Sequence, residues 1–245
     1  MSKRPAARPG TVRIIGGSHR GRRIPIAADD NLRPTPDRIR ETLFNWLAPV
    51  LPGARVLDLC AGTGVLGLEA LSRGAAHCVA VERDPVLARA IVASAEAFGL
   101  AGRLTLVTGD AAQVLARLTD RFDVVFLDPP YPAMAWTALA ERLRQHELLT
   151  PAARVYLEWP SALASAPLPA HWQAEKESHA GAVRFGLFRP MTEEAGVEAC
   201  PDPHPDPSRG ERGGQNRASP SPAGEGPSEG VFVDNPAARP DAGTT

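Results

Sequence analysis

Four short β-prone runs, ARVLDL, HCVAVE, RLTLV and FDVVFL, are each followed by a segment of helical periodicity, and this repeat restricts the chain more than any other feature. The helical segments are VLGLEALSRG with Gly74 as a stop, Pro85–Phe98 closed by Gly99, Ala111–Leu118 and Trp136–Gln145. Strands separated by helices cannot pair as hairpins; they pair in parallel through helical crossovers. FDVVFL is almost wholly apolar, the pattern of a strand buried on both faces. ARVYLEW adds a fifth strand. Gln173–Ser178 and Val183–Phe188, around HAGA, add two more. The expected fold is α/β: a doubly wound, mostly parallel seven-stranded sheet with one antiparallel edge strand. Such sheets bind ligands beyond the carboxyl ends of their strands, where strand order reverses.

The flanks differ from this centre. Val12–Ile15 and Arg23–Ile26 bracket GGSHRG, a β-hairpin signal. Thr35–Val50 carries a helical stripe of Ile39, Leu43, Phe44, Trp46, Leu47 and Val50, opened by Thr-Pro. Residues 1–40 hold ten Lys and Arg against three Asp, a net charge of +7, within a chain whose net charge is −1. A basic arm on a near-neutral domain is the footprint of a polyanion binder. Residues 191–245 carry nine Pro, eight Gly and a net charge of −6, too little apolar surface to offset ordering entropy. The expected organisation is a basic arm and hairpin at 1–34, a catalytic or binding domain at 35–190 and a disordered tail at 191–245. No run approaches about 18 apolar residues, so no membrane span is expected. The basic N-terminus lacks the apolar stretch of a secretory signal, and the three cysteines form no C-x-x-C pair. A cytoplasmic protein with neither disulfide framework nor metal site is expected.

The loop after the first strand reads DLCAGTGVLG. Gly62, Gly64 and Gly67 satisfy G-x-G-x-x-G, and Glu82 follows at the spacing of a dinucleotide fingerprint. Asp58 argues against that register, because it stands four residues before Gly62 and would be forced into a buried strand. With the strand ending near Asp58, its carboxylate suits a ligand with a cationic amino-acid end and an adenosine. Glu82 is then placed to accept both ribose hydroxyls. This arrangement resembles the S-adenosylmethionine (SAM) loop of Rossmann-like methyltransferases, with Cys60 where Gly is frequent. A nicotinamide or flavin dinucleotide and an unliganded tight turn remain the alternatives. Asp110, with Ala111 after it, falls where such enzymes hold the adenine amine, and is equally placed to cap the next helix.

FDVVFL runs into Asp128, Pro129, Pro130 and Tyr131 on the loop facing the glycine loop. A Pro-Pro turn that closes a strand is the plain reading. Chemistry offers another. An exocyclic base amine is a poor nucleophile, because its lone pair is delocalised into the ring. Asp128 and a backbone carbonyl aimed by the Pro-Pro turn can accept its two hydrogens and stabilise the developing positive charge. Tyr131 offers a face on which an unpaired base stacks.

Together RIIGGSHRGRRI, LRPTPDRIRETLFNWL, VLDLCAGTGVLGLEALSRGA and FLDPPY resemble the bacterial 16S ribosomal RNA guanine-N2 methyltransferases of the RsmD type, over about residues 12–190. The resemblance implies a Rossmann-like methyltransferase domain with an N-terminal hairpin. It implies SAM as cofactor, and methylation of one guanine (the guanine-966 type) in 16S rRNA of an assembled or assembling 30S subunit. By position, Asp128 and Tyr131 would hold the guanine. Asp58, Gly62, Gly64, Glu82, Asp110 and Ala111 would hold the cofactor, with Arg38 and Phe44 covering its methionine end. Arg13, His19, Arg20, Arg22 and Arg23 would meet RNA phosphates. The acidic tail has no place in that pattern. Plainer roles stand beside these: an ion pair with Glu41 for Arg38 or Arg40, a turn position for His19, and core or rim positions for Trp46, Trp136, Trp159 and Trp172. A DNA adenine-N6 methyltransferase and a non-catalytic SAM-binding assembly factor are the competing functions. The chain is expected to act as a monomer without metal.

Overall fold

The computed structural model describes residues 10–26, 34–129 and 136–191. Thr11–Arg13 (β1) and Arg23–Pro25 (β2) pair antiparallel as a separate two-stranded sheet. Helix α1 (Asp37–Leu47) follows. Then come β3 (Arg55–Asp58), α2 (Val65–Ser72), β4 (His77–Glu82), α3 (Pro85–Ala97), β5 (Leu104–Thr108), α4 (Ala111–Leu115) and β6 (Phe122–Leu127). The chain continues through α5 (Trp136–Gln145), β7 (Leu149–Pro160), β8 (Trp172–Ala180) and β9 (Val183–Pro190).

The large sheet has seven strands in the order β5-β4-β3-β6-β7-β9-β8. Strands β3 to β7 are parallel, and β9 runs antiparallel to both of its neighbours. The reversed strand is therefore inside the sheet, not at its edge as expected. Burial explains the exchange. Phe185, Leu187 and Phe188 of β9 are core residues, whereas Gln173–Glu177 of β8 face water, and a polar strand is the safer edge.

One face of the sheet (Val56, Phe126, Tyr156) packs under α1 and α2, and the other (Leu57, Val125, Leu127) under α4 and α5. The chain winds outward from β3 to β5, then returns to β6 on the other flank of β3. The carboxyl ends of β3 and β6 thus border the switch-point crevice.

All eight residues of α2 are buried, because the hairpin covers the side that the sheet does not. Val12, Ile14 and Ile24 enter the same core as α1 and α2. At the turn, the Cβ of any residue replacing Gly17 (φ +74°) would lie 2.0 Å from the Ser72 carbonyl oxygen, so that contact requires glycine. The Ile15 N–H donates to Glu69 Oε2 at 2.8 Å. Arg40 completes the junction from α1: its guanidinium reaches Glu69 Oε2 (3.1 Å), Asp37 Oδ1 (2.5 Å) and the carbonyls of Thr35 and Arg13. Arg73 caps the other Glu69 oxygen at 2.9 Å. Among the described residues no helix is long and apolar enough to cross a membrane. Residues 192–245 lie outside the described residues.

Candidate active site

Strand β3 ends at Asp58, whose side chain is buried and accepts from the Gly67 N–H at 3.0 Å, in the first turn of α2. Burial pushes its carboxyl up to about 7; the Gly67 N–H pulls it down and the Glu82 charge adds to the rise. Between Asp58 and α2 the loop turns through Gly62 (φ +55°) and Gly64 (φ +72°). A Cβ on Gly64 would lie 2.9 Å from Ile91, so the bare backbone keeps this cradle open.

Glu82 ends β4 and holds the loop, accepting from the Gly62 and Asp84 N–H groups at 2.8 Å each. Asp110, after β5, is exposed and accepts from Ala112 and Gln113 at the start of α4, while Ala111 is half-buried beside it. Both roles weighed for Asp110 remain geometrically compatible.

Cys60 reports how these groups converge. Its thiol is pushed up to about 12, first by burial and then by Asp58, Asp128, Glu82 and Asp110 in that order. Carboxylates from the ends of β3, β6, β4 and the loop after β5 thus all act on this one thiol. Among the described residues no set of His, Cys, Asp and Glu is arranged to hold a metal ion. A ligand with positive charges and an adenosine fits this donor set: an ammonium and a sulfonium would offset the crowded carboxylates, and the glycines admit close approach.

Asp128 follows β6 and is half-buried, and Pro129 is buried. Pro130 and Tyr131 lie outside the described residues. Burial, then the charges of Glu158 and Asp58, push the Asp128 carboxyl well above the ordinary carboxylate range. Glu158, near the end of β7, is absent from the expected site. It is buried and accepts from the Tyr156 hydroxyl at 2.8 Å and from the Thr35 hydroxyl; burial raises its pKa, and both hydroxyls pull it down.

Two expectations are corrected. Phe44 does not wall a cofactor site: its ring is fully enclosed, edge-on to Phe126 and beneath the Arg73 guanidinium. Helical phase puts it beside Leu43 and Leu47 in the core. His19 does not face outward to phosphate. Its ring nitrogens bond Ser18 Oγ and the Phe98 carbonyl, and its ring stacks on Phe98. Of the other residues assigned to the cofactor's methionine end and to RNA, Arg38 is exposed, Arg13 pairs with Asp37 at 2.8 Å, Arg22 donates to the Ala97 carbonyl, and Arg23 contacts the Thr11 hydroxyl. The exposed Arg20 has no side-chain partner among the described residues. For Arg40 the expected exposed pair with Glu41 is replaced by buried ion pairs with Glu69 and Asp37. Three of the four tryptophans are core residues and Trp46 is half-buried.

The chain is 38% identical over 189 residues to ribosomal RNA small subunit methyltransferase D of Escherichia coli, covering 77% of this chain and 95% of that one. Against the protein of the same name from Haemophilus influenzae, identity is 35% over 185 residues, covering 74% and 94%. A solved Escherichia coli structure, yhhF, named as a methyltransferase, superposes with a TM-score of 0.68 at 35% identity. It covers 75% of this chain and 100% of that one. Residues 12–189 match the family described as Conserved hypothetical protein 95, and the chain belongs to that family, the RsmD-type methyltransferases.

Proposed function

We propose that this protein is a SAM-dependent RNA methyltransferase that methylates the exocyclic N2 of one guanine in 16S rRNA of the small subunit. The observation that carries the reading is the convergence of Asp58, Glu82, Asp110 and Asp128 around Cys60 at the sheet's switch point. Relatives named as small-subunit rRNA methyltransferases support the class of substrate.

SAM, when bound, supplies an electrophilic methyl group on a cationic sulfur. Asp58 would hold its positive charge, Glu82 its ribose hydroxyls, and Asp110 with Ala111 its adenine. Asp128 would accept an N–H of the guanine amine, and Pro129, Pro130 and Tyr131 are assigned the rest of the base clamp by their place in the DPPY motif. Holding nitrogen and methyl carbon in line, about 3–3.5 Å apart, removes much of the entropic barrier. Arg20, exposed on the hairpin, docks the RNA backbone.

A DNA adenine methyltransferase needs further structure to read bases in a groove. Here α5 and β7 to β9 occupy most of residues 136–190, and every one of those strands belongs to the central sheet. The test is transfer of labelled methyl from SAM to 30S particles, to naked 16S RNA and to duplex DNA. Label in N2-methylguanine from 30S particles or RNA is the expected result. Label in DNA alone, or none with SAM bound, overturns the reading.

A further inference from the structure

Glu158 is a buried carboxyl that takes no part in the cofactor site or the base clamp as described. Its place is fixed by the register of the sheet. Leu127 and Leu157 are direct partners across the parallel strands β6 and β7, so the next residues, Asp128 and Glu158, stand side by side at the carboxyl edge. Two residues back, Phe126 and Tyr156 are partners and both lie in the core under α1. Strand alternation therefore aims Asp128 and Glu158 at that same face, from backbones roughly 4.8 Å apart. Asp58 faces them from β3, two residues beyond Val56 of that core, and Thr35 from the approach to α1. Phe185 of β9, the register partner of Glu158, is apolar. Cys60 is a further titratable group beside Asp128. Among the described residues no cation is one of the charges that act on either carboxyl.

We propose that Asp128 and Glu158 form one carboxyl pair that takes the proton shed by the methylated amine, with Glu158 as the positioning residue through which Asp128 acts. The inference rests on the reading of the site as a base N-methyltransferase. As the amine lone pair forms the N–C bond, the C–S electron pair stays on sulfur, and the nitrogen is left cationic with one proton in excess. Burial raises both carboxyls, but the Tyr156 and Thr35 hydroxyls donate to Glu158 while no such donor acts on Asp128 among the described residues, so of the two Asp128 is the one that keeps the shared proton. The carbonyl oxygen of that neutral Asp128 accepts the amine N–H. As the nitrogen releases its proton to this oxygen, Asp128 passes its own to Glu158. The pair then returns one proton to water, and the balance closes.

Glu158→Gln keeps the shape and deletes the acceptor. Its kcat on 30S particles should fall on the order of 10²-fold, as loss of a proton-transfer group does. KM for RNA, and SAM affinity by calorimetry, should stay within about threefold, because nothing in ground-state binding is removed. The acid limb of the wild-type kcat–pH profile, which reports ionisation of the pair, should move to lower pH, where Asp128 ionises alone. Tyr156→Phe deletes one donor to Glu158 and should move that limb to higher pH. Infrared titration of the free protein reads the same pair without turnover: Glu158→Gln should lower the pH at which Asp128 ionises. An active wild type together with a Glu158→Gln variant of unchanged kcat and acid limb overturns the inference alone. If that variant does not fold, an unmoved limb in Tyr156→Phe overturns it equally. A wild type that methylates no RNA base overturns the proposed function and this inference with it.

Discussion

Helix α2 touches two buried acidic sites, and the two are balanced in opposite ways. Under the hairpin, Glu69 is wholly enclosed and meets Arg40, Arg73 and the Ile15 N–H. Two residues away, the N–H of Gly67 reaches Asp58, which with Asp128 and Glu158 forms an edge where burial raises every carboxyl and like charges add to the rise at Asp58 and Asp128. The first site is complete within the chain: charges from β1, α1 and α2 neutralise one another and lock the hairpin to the domain. The second is left electrically incomplete, a cost that a protein of marginal stability carries where a ligand supplies the missing charge. Burial of carboxylates alone does not separate structure from function; the presence of a fixed cation does.

The largest expected effect breaks the complete site. Glu69→Ala takes from buried Arg40 its one fully buried carboxylate, leaving the half-exposed Asp37, and should lower folding stability by roughly 3–5 kcal/mol, measured by chemical denaturation. A loss below about 1 kcal/mol would place the junction among exposed pairs of little weight and dissolve the contrast. The opposite pattern is expected at the edge. Asp128→Ala should lower the methyl-transfer rate on the order of 10²–10³-fold, with SAM affinity little changed. Its stability should hold or rise, because a crowded carboxyl has been removed. Asp128→Asn is sharper, since its amide oxygen still accepts an N–H while the carboxyl proton that passes to Glu158 is gone. Normal methylation by Asp128→Ala overturns the assignment of this loop.

The contrast was only half legible in the sequence. Asp58, Glu82 and Asp110 are readable because each follows a strand at an offset that the sheet geometry fixes, and local chain order carries that information. The Glu69 junction is not local: Arg40 lies 29 residues away and the hairpin contacts to Ser72 span more than 50. A signal existed, since Arg40 shares the helical phase of Phe44 and Leu47, and Glu69 is the lone charge in VLGLEALS. Charged residues on apolar stripes announce a buried pair. The same phase rule would have placed Phe44 in the core. Glu158 was hidden because its neighbour is set by pairing of β6 with β7, which no single strand reveals. The interior position of β9 followed from burial differences between two similar β-prone runs. The fold class needed only the repeat itself.

Next in size is the cofactor's ribose. Glu82→Ala should weaken SAM binding about 10–100-fold, through loss of charge-assisted hydrogen bonds of roughly 1.5–3 kcal/mol. Because the two oxygens of Glu82 hold the Gly62 and Asp84 N–H groups separately, Glu82→Gln keeps only one of these loop bonds as it drops the charge, and thermal melting of both variants reads the loop contribution. Calorimetry showing NAD binding and no SAM binding in the wild type would reverse the cofactor assignment.

Asp58 gives a smaller effect with a definite sign. Its carboxyl titrates at 3.8 in a free chain and at about 7 in the fold, so the fold prefers it neutral. That preference contributes fully below about pH 4 and is lost as pH rises to about 7. A cationic ligand prefers the ionised form, so binding below pH 7 expels a proton. SAM affinity should fall by up to about tenfold per pH unit below 7 and level off above it. Calorimetry in buffers of different ionisation enthalpy counts the released proton, and Asp58→Asn should flatten the dependence. A wild-type affinity constant from about pH 5.5 to 8 would mean that the edge is not waiting for a cation.

The smallest expected effect carries the same contrast to the cations of the hairpin. Arg13 is neutralised by Asp37, and Arg22 is turned onto the Ala97 carbonyl and the Phe98 ring, whereas Arg20 has no side-chain partner among the described residues. By the logic of the two acidic sites, the paired arginines hold the hairpin and the unpaired one meets RNA. Each phosphate neutralised on a single strand adds about −0.7 to the slope of log affinity against log salt. Arg20→Ala should therefore reduce that slope for 30S or 16S RNA binding by about 0.7, with the melting temperature and SAM affinity unchanged. Arg22→Ala should do the reverse, loosening the hairpin against α3 and lowering the melting temperature, with a smaller change in slope. Filter binding across a salt series, with thermal melting of each variant, reads both. A slope change of equal size in the two variants would show that Arg22 leaves Ala97 to meet RNA, and pairing in the free protein would then not decide which arginines dock.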